Sequence, residues 1–253
     1  RREHEALVLV NAVQDRLFPE STRFKRYFPK PFGEVESTPE HGLVMFMDVI
    51  EGASLEYYKP QSYQELCSLF ADISRALGIA HTAKLVHRDI KPSNIRVTSD
   101  GIRLLDFGVA AFERDVARIV KEGEGAGTPL FMAPEAFSVR KPEDISPAMD
   151  FWSLGGTLFF KLSGSTYLVP ELGSPQEYIS HTRRLISGEL PLRPTGERVP
   201  LPIEIILKRL LRQKNYEPFK DAFELAEAFE DAPVETSMLR EIERRDADVE
   251  SSF

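Results

Sequence analysis

The sequence lacks most of the features that mark secreted, membrane-spanning or nucleic-acid-binding proteins. It contains a single cysteine, Cys67, which excludes an internal disulfide framework and favours a reducing compartment such as the cytoplasm. No apolar run is long enough to cross a bilayer. A net charge of -8 argues against a surface for nucleic acids or anionic membranes. We therefore expect a cytoplasmic, globular chain without a nucleic-acid partner or a membrane segment.

Two further absences concern the beginning of the chain. It opens with Arg1 and Arg2 rather than with methionine, so we expect it to be part of a longer protein. It also has no glycine-rich G-x-G-x-x-G loop anywhere. Its 253 residues suffice for one large domain, or for a small lobe on a larger one.

What is present is an apolar run broken by charge, LVHRDIKPSNIRV at residues 85–97. Burying His87, Arg88, Asp89 and Lys91 costs free energy unless these groups are paired or used. Asn94 follows Asp89 by five residues. The pattern therefore predicts a loop whose charged residues are paired with one another or take part in catalysis or binding.

A short hairpin is predicted next, with strands at residues 95–97 and 102–105 around a Ser-Asp-Gly turn. Asp106 follows it directly, ahead of Phe107 and Gly108. An Asp on a loop, a nearby Asn and a second Asp beyond a hairpin can converge on one spot. Oxygen ligands such as those of Asn94 and Asp106 suit Mg²⁺, which takes few protein ligands and keeps several waters.

The strings HRDIKPSN (87–94), DFG (106–108) and APE (133–135) resemble the catalytic-loop, metal-loop and activation-segment motifs of eukaryotic-type protein kinases. The resemblance runs over about residues 5–232. It implies an α+β, bilobal protein-kinase-like fold with a mainly helical large lobe. Because the glycine-rich loop and strand lysine of that family are absent, it also implies a truncated, β-containing small lobe and poor activity of this chain alone.

The resemblance gives each motif residue a role. Asp89 would orient the substrate hydroxyl and accept its proton, and Lys91 would place a cation beside the γ-phosphate. Thr128 would contact both of them. Asn94 and Asp106 would hold Mg²⁺, so that Lys91, Asn94 and Asp106 together bind MgATP.

The adenine end of ATP is assigned to residues 42–52, an apolar run predicted as a buried strand leading into a turn. By resemblance this strand enters the hinge between the lobes. Met47 is then the gatekeeper, and the backbone from Asp48 through Val49 to Ile50 lies along the base. The alternative is that the methionines of this strand only pack in the hydrophobic core.

A helix is predicted over residues 2–18, because apolar residues recur on one helical face at Ala6, Leu9, Ala12 and Val13. It resembles the regulatory helix of the small lobe, whose Glu pairs with the strand lysine. Glu5 fits the family spacing best and Glu3 is the competing choice. Either could instead be a solvated surface charge.

Further along, residues 19–41 are rich in Pro, Lys, Glu and Ser and are predicted to be a loop or poorly ordered connection. A capping-box pattern at residues 62–65 opens a helix through Ala80. An apolar helix is predicted within residues 146–164, where Asp150 would hold the catalytic-loop backbone by resemblance.

Two amphipathic helices are predicted at residues 202–211 and 221–229. The domain boundaries follow from these elements. We expect a partial small lobe at 1–52, a large lobe at 53–232, and a charged C-terminal helix or tail at 233–253.

Lys91 and the Gly-Thr-Pro sequence at 127–129 resemble serine/threonine rather than tyrosine kinases. The expected function is ATP-dependent phosphoryl transfer to serine or threonine hydroxyls of protein substrates. The alternative is a pseudokinase-like binding or regulatory module with the same fold. An upstream strand bearing the missing lysine would favour the enzyme.

Two charged sites depart from the usual kinase pattern. The Glu of the A-P-E motif commonly pairs with an Arg, but Pro218 stands where that Arg is expected. Glu135 should therefore be solvated or find another cation, with three candidates in Arg209, Arg212 and Lys220.

The second site is the activation segment. Residues 109–127 contain no Ser, Thr or Tyr, so a phosphate cannot be placed there. We expect a fixed carboxylate, Glu122 or Glu124, to partner Arg88 instead. The plain alternative is a solvated, mobile acidic loop.

Overall fold

The computed structural model describes residues 2–19, 26–38, 42–107, 111–112, 131–139, 141–163 and 199–232. The described helices are α1 (Arg2–Leu17), α2 (Tyr63–Thr82), α3 (Ala148–Ser163), α4 (Leu201–Leu210) and α5 (Ala222–Glu230). The 3-10 helices in the same part of the chain are Pro92–Asn94, Pro134–Ser138 and Pro142–Asp144. No helix among these residues combines the length and apolar character needed to cross a membrane.

The strands are short and pair in small antiparallel sheets, which places the chain in the α+β class. They are β1 (Pro31–Thr38), β2 (Gly42–Met47), β3 (Ala53–Ser54), β4 (Leu85–Val86), β5 (Ile95–Thr98), β6 (Gly101–Leu104) and β7 (Ala111–Phe112). β1 pairs with β2, β5 lies between β3 and β6, and β4 pairs with β7. The strands β5 and β6 confirm the predicted hairpin, in which Val97 lies opposite Ile102.

Helix α2 is the central element of the core. Its N-cap is Ser62, whose Oγ accepts a hydrogen bond from the Glu65 N–H at 3.1 Å. The Glu65 carboxylate accepts from the Gln61 N–H at 2.6 Å instead of from Ser62, so the capping box is half formed. The predicted apolar stripe of α2 is buried throughout, at Leu66, Leu69, Phe70, Ile73, Leu77 and Ala80.

Helix α5 packs against α2, with the rings of Phe70 and Phe229 5.6 Å apart. Gly78 makes this close approach possible, since a Cβ there would lie 2.7 Å from the Phe223 ring. A larger residue at position 78 would push the two helices apart.

Helix α1 forms as predicted, but it buries a different face. The buried apolar residues are Ala6, Leu7, Val10 and Val13. Ala12 is exposed and Leu9 is only partly buried. The buried face differs from the predicted one because two polar residues, Asn11 and Gln14, are buried as well. They bond to the backbone of Pro29 and Tyr27 respectively.

The prediction of a loop for residues 19–41 agrees with residues 26–30, which lie in no helix or strand, but it is wrong for residues 31–38. Tyr27 and Phe28 are buried, and residues 31–38 form strand β1. Composition hid this strand because most of its side chains are exposed. Backbone pairing with β2, rather than an apolar face, holds the ribbon together.

The stretch predicted to be the hinge ends at Gly52, whose φ is +142°. A Cβ at this position would lie 2.2 Å from the Val97 carbonyl oxygen. Glycine is therefore required where the chain passes over β5 on its way to α2.

Candidate active site

The catalytic-loop residues predicted from the sequence lie together. Lys91 Nζ is 2.7 Å from Asp89 Oδ2. The Asn94 Nδ2 group donates to the same Oδ2 and to the Asp89 carbonyl, each at 2.9 Å. Asp89 and Asn94 are each only 8% exposed. The cluster therefore holds one carboxylate in a fixed orientation between a cation and an amide.

Asp150 fixes the backbone that presents this cluster. Its carboxylate accepts hydrogen bonds from the His87 N–H at 2.9 Å and the Arg88 N–H at 2.8 Å. His81 Nε2, in the last turn of α2, lies 2.8 Å from Oδ2. Burial alone would raise the pKa of Asp150, but the His81 hydrogen bond and charge and the backbone donors hold that pKa below its usual value. The structural role predicted for Asp150 is thereby confirmed.

His87 joins the catalytic loop to the segment that carries Asp106. The ring is fully buried, with Nε2 3.0 Å from the Leu105 carbonyl oxygen. Its Nδ1 accepts from the Asp89 N–H at 3.3 Å. This pair of bonds requires the neutral ring with its proton on Nε2. Burial lowers the pKa of His87 despite the nearby Asp150 carboxylate.

Asp106 lies exposed at the end of the β6 segment, next to Asn94. The Leu105 N–H donates to the Asn94 carbonyl at 2.9 Å, which brings the two predicted oxygen ligands to neighbouring positions. The backbone at Asp106 is left-handed, with φ +61°. Phe107 is fully buried against His87, at 4.7 Å between ring centroids, and anchors the turn.

The donor set fits Mg²⁺. Asn94 uses its amide nitrogen on Asp89, so its carbonyl oxygen is the group available for a metal, beside the Asp106 carboxylate. Across the described ranges no group of three or more His, Cys, Asp or Glu forms a ready-made metal cage. Two oxygen donors are what Mg²⁺ uses when phosphate and water supply the rest.

The acidic residue of α1 that faces this site is Glu3, not Glu5. The Glu3 carboxylate accepts a hydrogen bond from the Phe107 N–H, and its pKa is raised by burial and by the charge of Asp106. Glu5 is exposed. Spacing favoured Glu5 only on the assumption that Leu9 and Ala12 face inward. The buried positions Ala6, Leu7 and Val10 put Glu3 on the inner face.

The residues predicted to form the hinge connect to the segment before β1. The Asp48 N–H donates to the Lys30 carbonyl at 3.0 Å, and Asp48 Oδ2 accepts from the Lys30 N–H at 3.0 Å. Met47 packs partly buried against the core. The Asp48 N–H is thus committed to Lys30, and its carbonyl is the group of that residue that could meet a base.

Several predicted residues lie outside the described residues: Gly108, Glu122, Glu124 and Thr128. Sequence reasoning missed His81, because a single His in the last turn of a helix normally signals only a favourable charge there. It also missed the buried residues 27–28, which stand in a stretch of polar composition. Their only signal was two adjacent aromatic residues in that stretch.

Comparisons with known proteins find similarity to protein kinases. The protein kinase domain family matches residues 28–217. The serine/threonine-protein kinase AfsK of Streptomyces griseus is 41% identical over 105 residues, covering 42% of this chain and 13% of that protein. The probable cAMP-dependent protein kinase catalytic subunit of Encephalitozoon cuniculi is 33% identical over 165 residues, covering 62% and 49%.

A third relative is the serine/threonine-protein kinase PknA of Mycobacterium tuberculosis, 32% identical over 162 residues that cover 64% of this chain and 36% of that protein. The matches to these three relatives thus span less than half of each relative's length. The family match covers most of this chain, from Phe28 through the catalytic loop to α4 and beyond. The chain belongs to the protein kinase domain family.

Proposed function

We propose that the chain carries the catalytic part of an active serine/threonine protein kinase, which transfers the γ-phosphoryl group of ATP to a serine or threonine hydroxyl of a protein substrate. The observation that carries the proposal is the contact of Lys91 and Asn94 with one oxygen of the buried Asp89. Retaining such a charged cluster without a use would be costly. The names of the relatives AfsK and PknA support the choice of serine and threonine over tyrosine.

In this reaction the substrate oxygen forms a bond to the γ-phosphorus as the bond from that phosphorus to the leaving ADP oxygen breaks. Asp89 orients the hydroxyl and accepts its proton. Lys91 compensates the charge of the γ-phosphate, and by resemblance Thr128 would contact both side chains. Asn94 and Asp106 would hold Mg²⁺, which when bound would compensate part of the negative charge of the phosphates.

The adenine base is placed against Met47 and the backbone of Asp48 and Ile50. The proposal includes a bilobal arrangement, with a truncated small lobe at 1–52, a large lobe at 53–232 and a charged helix or tail at 233–253. On this division the hinge is the stretch that follows β2 and ends at Gly52.

The test compares Asp89→Asn with Asp106→Asn in the full-length protein. Asp89→Asn should lower turnover by about 10²–10⁴-fold and spare MgATP affinity, because its role is confined to the reacting state. Asp106→Asn should weaken Mg²⁺-dependent nucleotide binding by about tenfold or more.

Turnover is measured as phosphorylation of peptides that are identical except for a Ser, Thr or Tyr at the acceptor position. Nucleotide affinity is measured by calorimetric titration. Equal loss of nucleotide affinity in both variants would contradict the division of roles. MgATP binding without phosphorylation of any peptide by the wild-type protein would favour the binding-module alternative.

A further inference from the structure

The four residues 27–30 contact most of the elements that build the active site. Phe28 packs its ring edge-on against Phe107, 5.7 Å between centroids. The Pro29 carbonyl accepts from Asn11 Nδ2 at 2.9 Å, and Lys30 is bonded twice to Asp48. We call residues 27–30 the junction segment.

Tyr27 is the residue of the junction segment with the most partners. Its N–H donates to the Gln14 side chain of α1 at 3.1 Å. Its carbonyl accepts from the Leu104 N–H at 2.7 Å. Leu104 ends β6, two residues before Asp106. The backbone of one residue therefore connects the helix that carries Glu3 to the strand that carries Asp106.

The side chain of Tyr27 makes a third connection, to α2. Tyr27 is 3% exposed, and its hydroxyl donates to Asp72 Oδ1 at 3.4 Å. Arg75 also bonds to this hydroxyl, and Arg75 is ion-paired with Glu230 of α5. Burial and the Asp72 charge raise the pKa of Tyr27, so the hydroxyl keeps its proton and acts as a donor.

We propose that Tyr27 is a positioning residue for phosphoryl transfer, which uses its hydroxyl bond to α2 to set α1 and Glu3 relative to Asp106 and Phe107. This inference rests on the proposed function for its catalytic consequence, but not for its structural one. Packing alone would be served equally well by Phe at this position, because the ring is buried in the apolar core. The hydroxyl adds a directional tie to a helix that itself holds the catalytic loop through His81.

Few contacts separate Tyr27 from Glu3. Tyr27 holds β6 and α1 through its backbone, while Phe28 beside it holds Phe107. The Phe107 N–H in turn donates to Glu3. Loosening Tyr27 from α2 frees the junction segment to shift, and the Glu3 to Phe107 contact weakens before the fold is lost.

The experiment uses Tyr27→Phe, which removes one oxygen and keeps the ring and both backbone bonds. The matched control is Tyr57→Phe, since Tyr57 is 78% exposed. Amide hydrogen exchange should be about 2- to 10-fold faster at Phe107 and Leu104 in Tyr27→Phe, the change expected from one lost hydrogen bond. Exchange at buried amides of α3, such as Leu158, and all exchange in Tyr57→Phe should stay unchanged.

A merely structural role would speed exchange at Leu158 as much as at Phe107. That result, or an unchanged Phe107 amide, overturns the proposal. In the full-length protein, Tyr27→Phe should also raise the KM for ATP and leave the KM for peptide unchanged, and an unchanged KM for ATP overturns the catalytic part. The exchange measurement needs no turnover, so it stays decisive even if the protein proves not to phosphorylate peptides.

Discussion

Arg212 forms an ion pair with Glu135, with Nη2 and Oε1 2.6 Å apart. The same guanidinium donates to the Ala148 carbonyl at 2.6 Å, at the start of α3. Position 218 carries a proline where the family usually has the Arg that pairs with this Glu. The structure confirms that Glu135 pairs with a cation elsewhere, and of the three candidates it is Arg212. Arg209 is engaged elsewhere, with Glu224 at 2.6 Å.

The Arg212 site predicts two unequal losses of stability. Both side chains are about one-third exposed. Glu135→Gln should therefore lower the free energy of unfolding by no more than about 1 kcal/mol. Arg212→Met also leaves the Ala148 carbonyl without its charged donor and should cost about 1–3 kcal/mol. Urea denaturation measures both.

The control for this pair is Glu204→Gln, which removes an i,i+4 pair with Lys208 on the surface of α4. It should cost about 0.2–0.5 kcal/mol. An Arg212→Met protein no less stable than Glu135→Gln would mean that the bond to Ala148 contributes nothing.

His87 predicts how stability depends on pH. Its pKa is lowered by burial, so the folded state keeps the ring neutral while the unfolded state binds a proton below about pH 6.5. The unfolded state then holds more protons, and stability falls as the pH drops from about 6.5 towards 5, by up to about 1.4 kcal/mol per pH unit. Asp150 affects stability in a lower pH range. Because its pKa is lowered in the folded state, the stability that its carboxylate contributes is lost only below about pH 4.

Free energies of unfolding measured at several pH values between 7.5 and 5 test this expectation. His87→Gln should be less stable throughout but should show a shallower slope below pH 6.5, because the buried group no longer titrates. His4→Gln leaves His87 in place and should keep the wild-type slope. Equal slopes in wild type and His87→Gln would show that His87 is not the source.

The motifs predicted the catalytic cluster well because short local spacings fix it. Asp89, Lys91 and Asn94 lie within six residues, and the hairpin that returns Asp106 has a clear turn signal. Contacts between distant segments were not predictable in this way. Gln14 and Asn11 look like surface residues in a helical pattern, and only their bonds to Tyr27 and Pro29 explain which face of α1 is buried.

The choice between Glu3 and Glu5 predicts a difference in activity. In full-length protein, Glu3→Gln should lower kcat/KM by about tenfold or more, at least about 1.4 kcal/mol of activation free energy. It removes the charge that faces Phe107 and Asp106. Glu5→Gln alters an exposed position and should leave kcat/KM close to wild type. The opposite ranking would restore the assignment made from spacing.

The last prediction concerns regulation through Arg88. Arg88 is 8% exposed, and burial lowers its pKa. A carboxylate placed beside such a shielded guanidinium contributes more than a surface pair would, which is the condition for the expected role of Glu122 or Glu124. Residues 109–127 carry no Ser, Thr or Tyr, and a phosphate on Thr128 would block the contact with Asp89 that the resemblance implies for it. Activity should therefore not require phosphorylation of this segment.

Phosphatase treatment of the full-length protein should therefore leave peptide phosphorylation intact, whereas Glu122→Gln or Glu124→Gln should reduce it. The matched control is Glu113→Gln, another acidic residue of the same segment, which should have no effect. Loss of activity on dephosphorylation would refute the first half of this prediction. Wild-type activity in both Glu122→Gln and Glu124→Gln would refute the second half. Those acids would then be solvated charges, because neither would supply Arg88 with the negative charge that a phosphate supplies by phosphorylation of the segment.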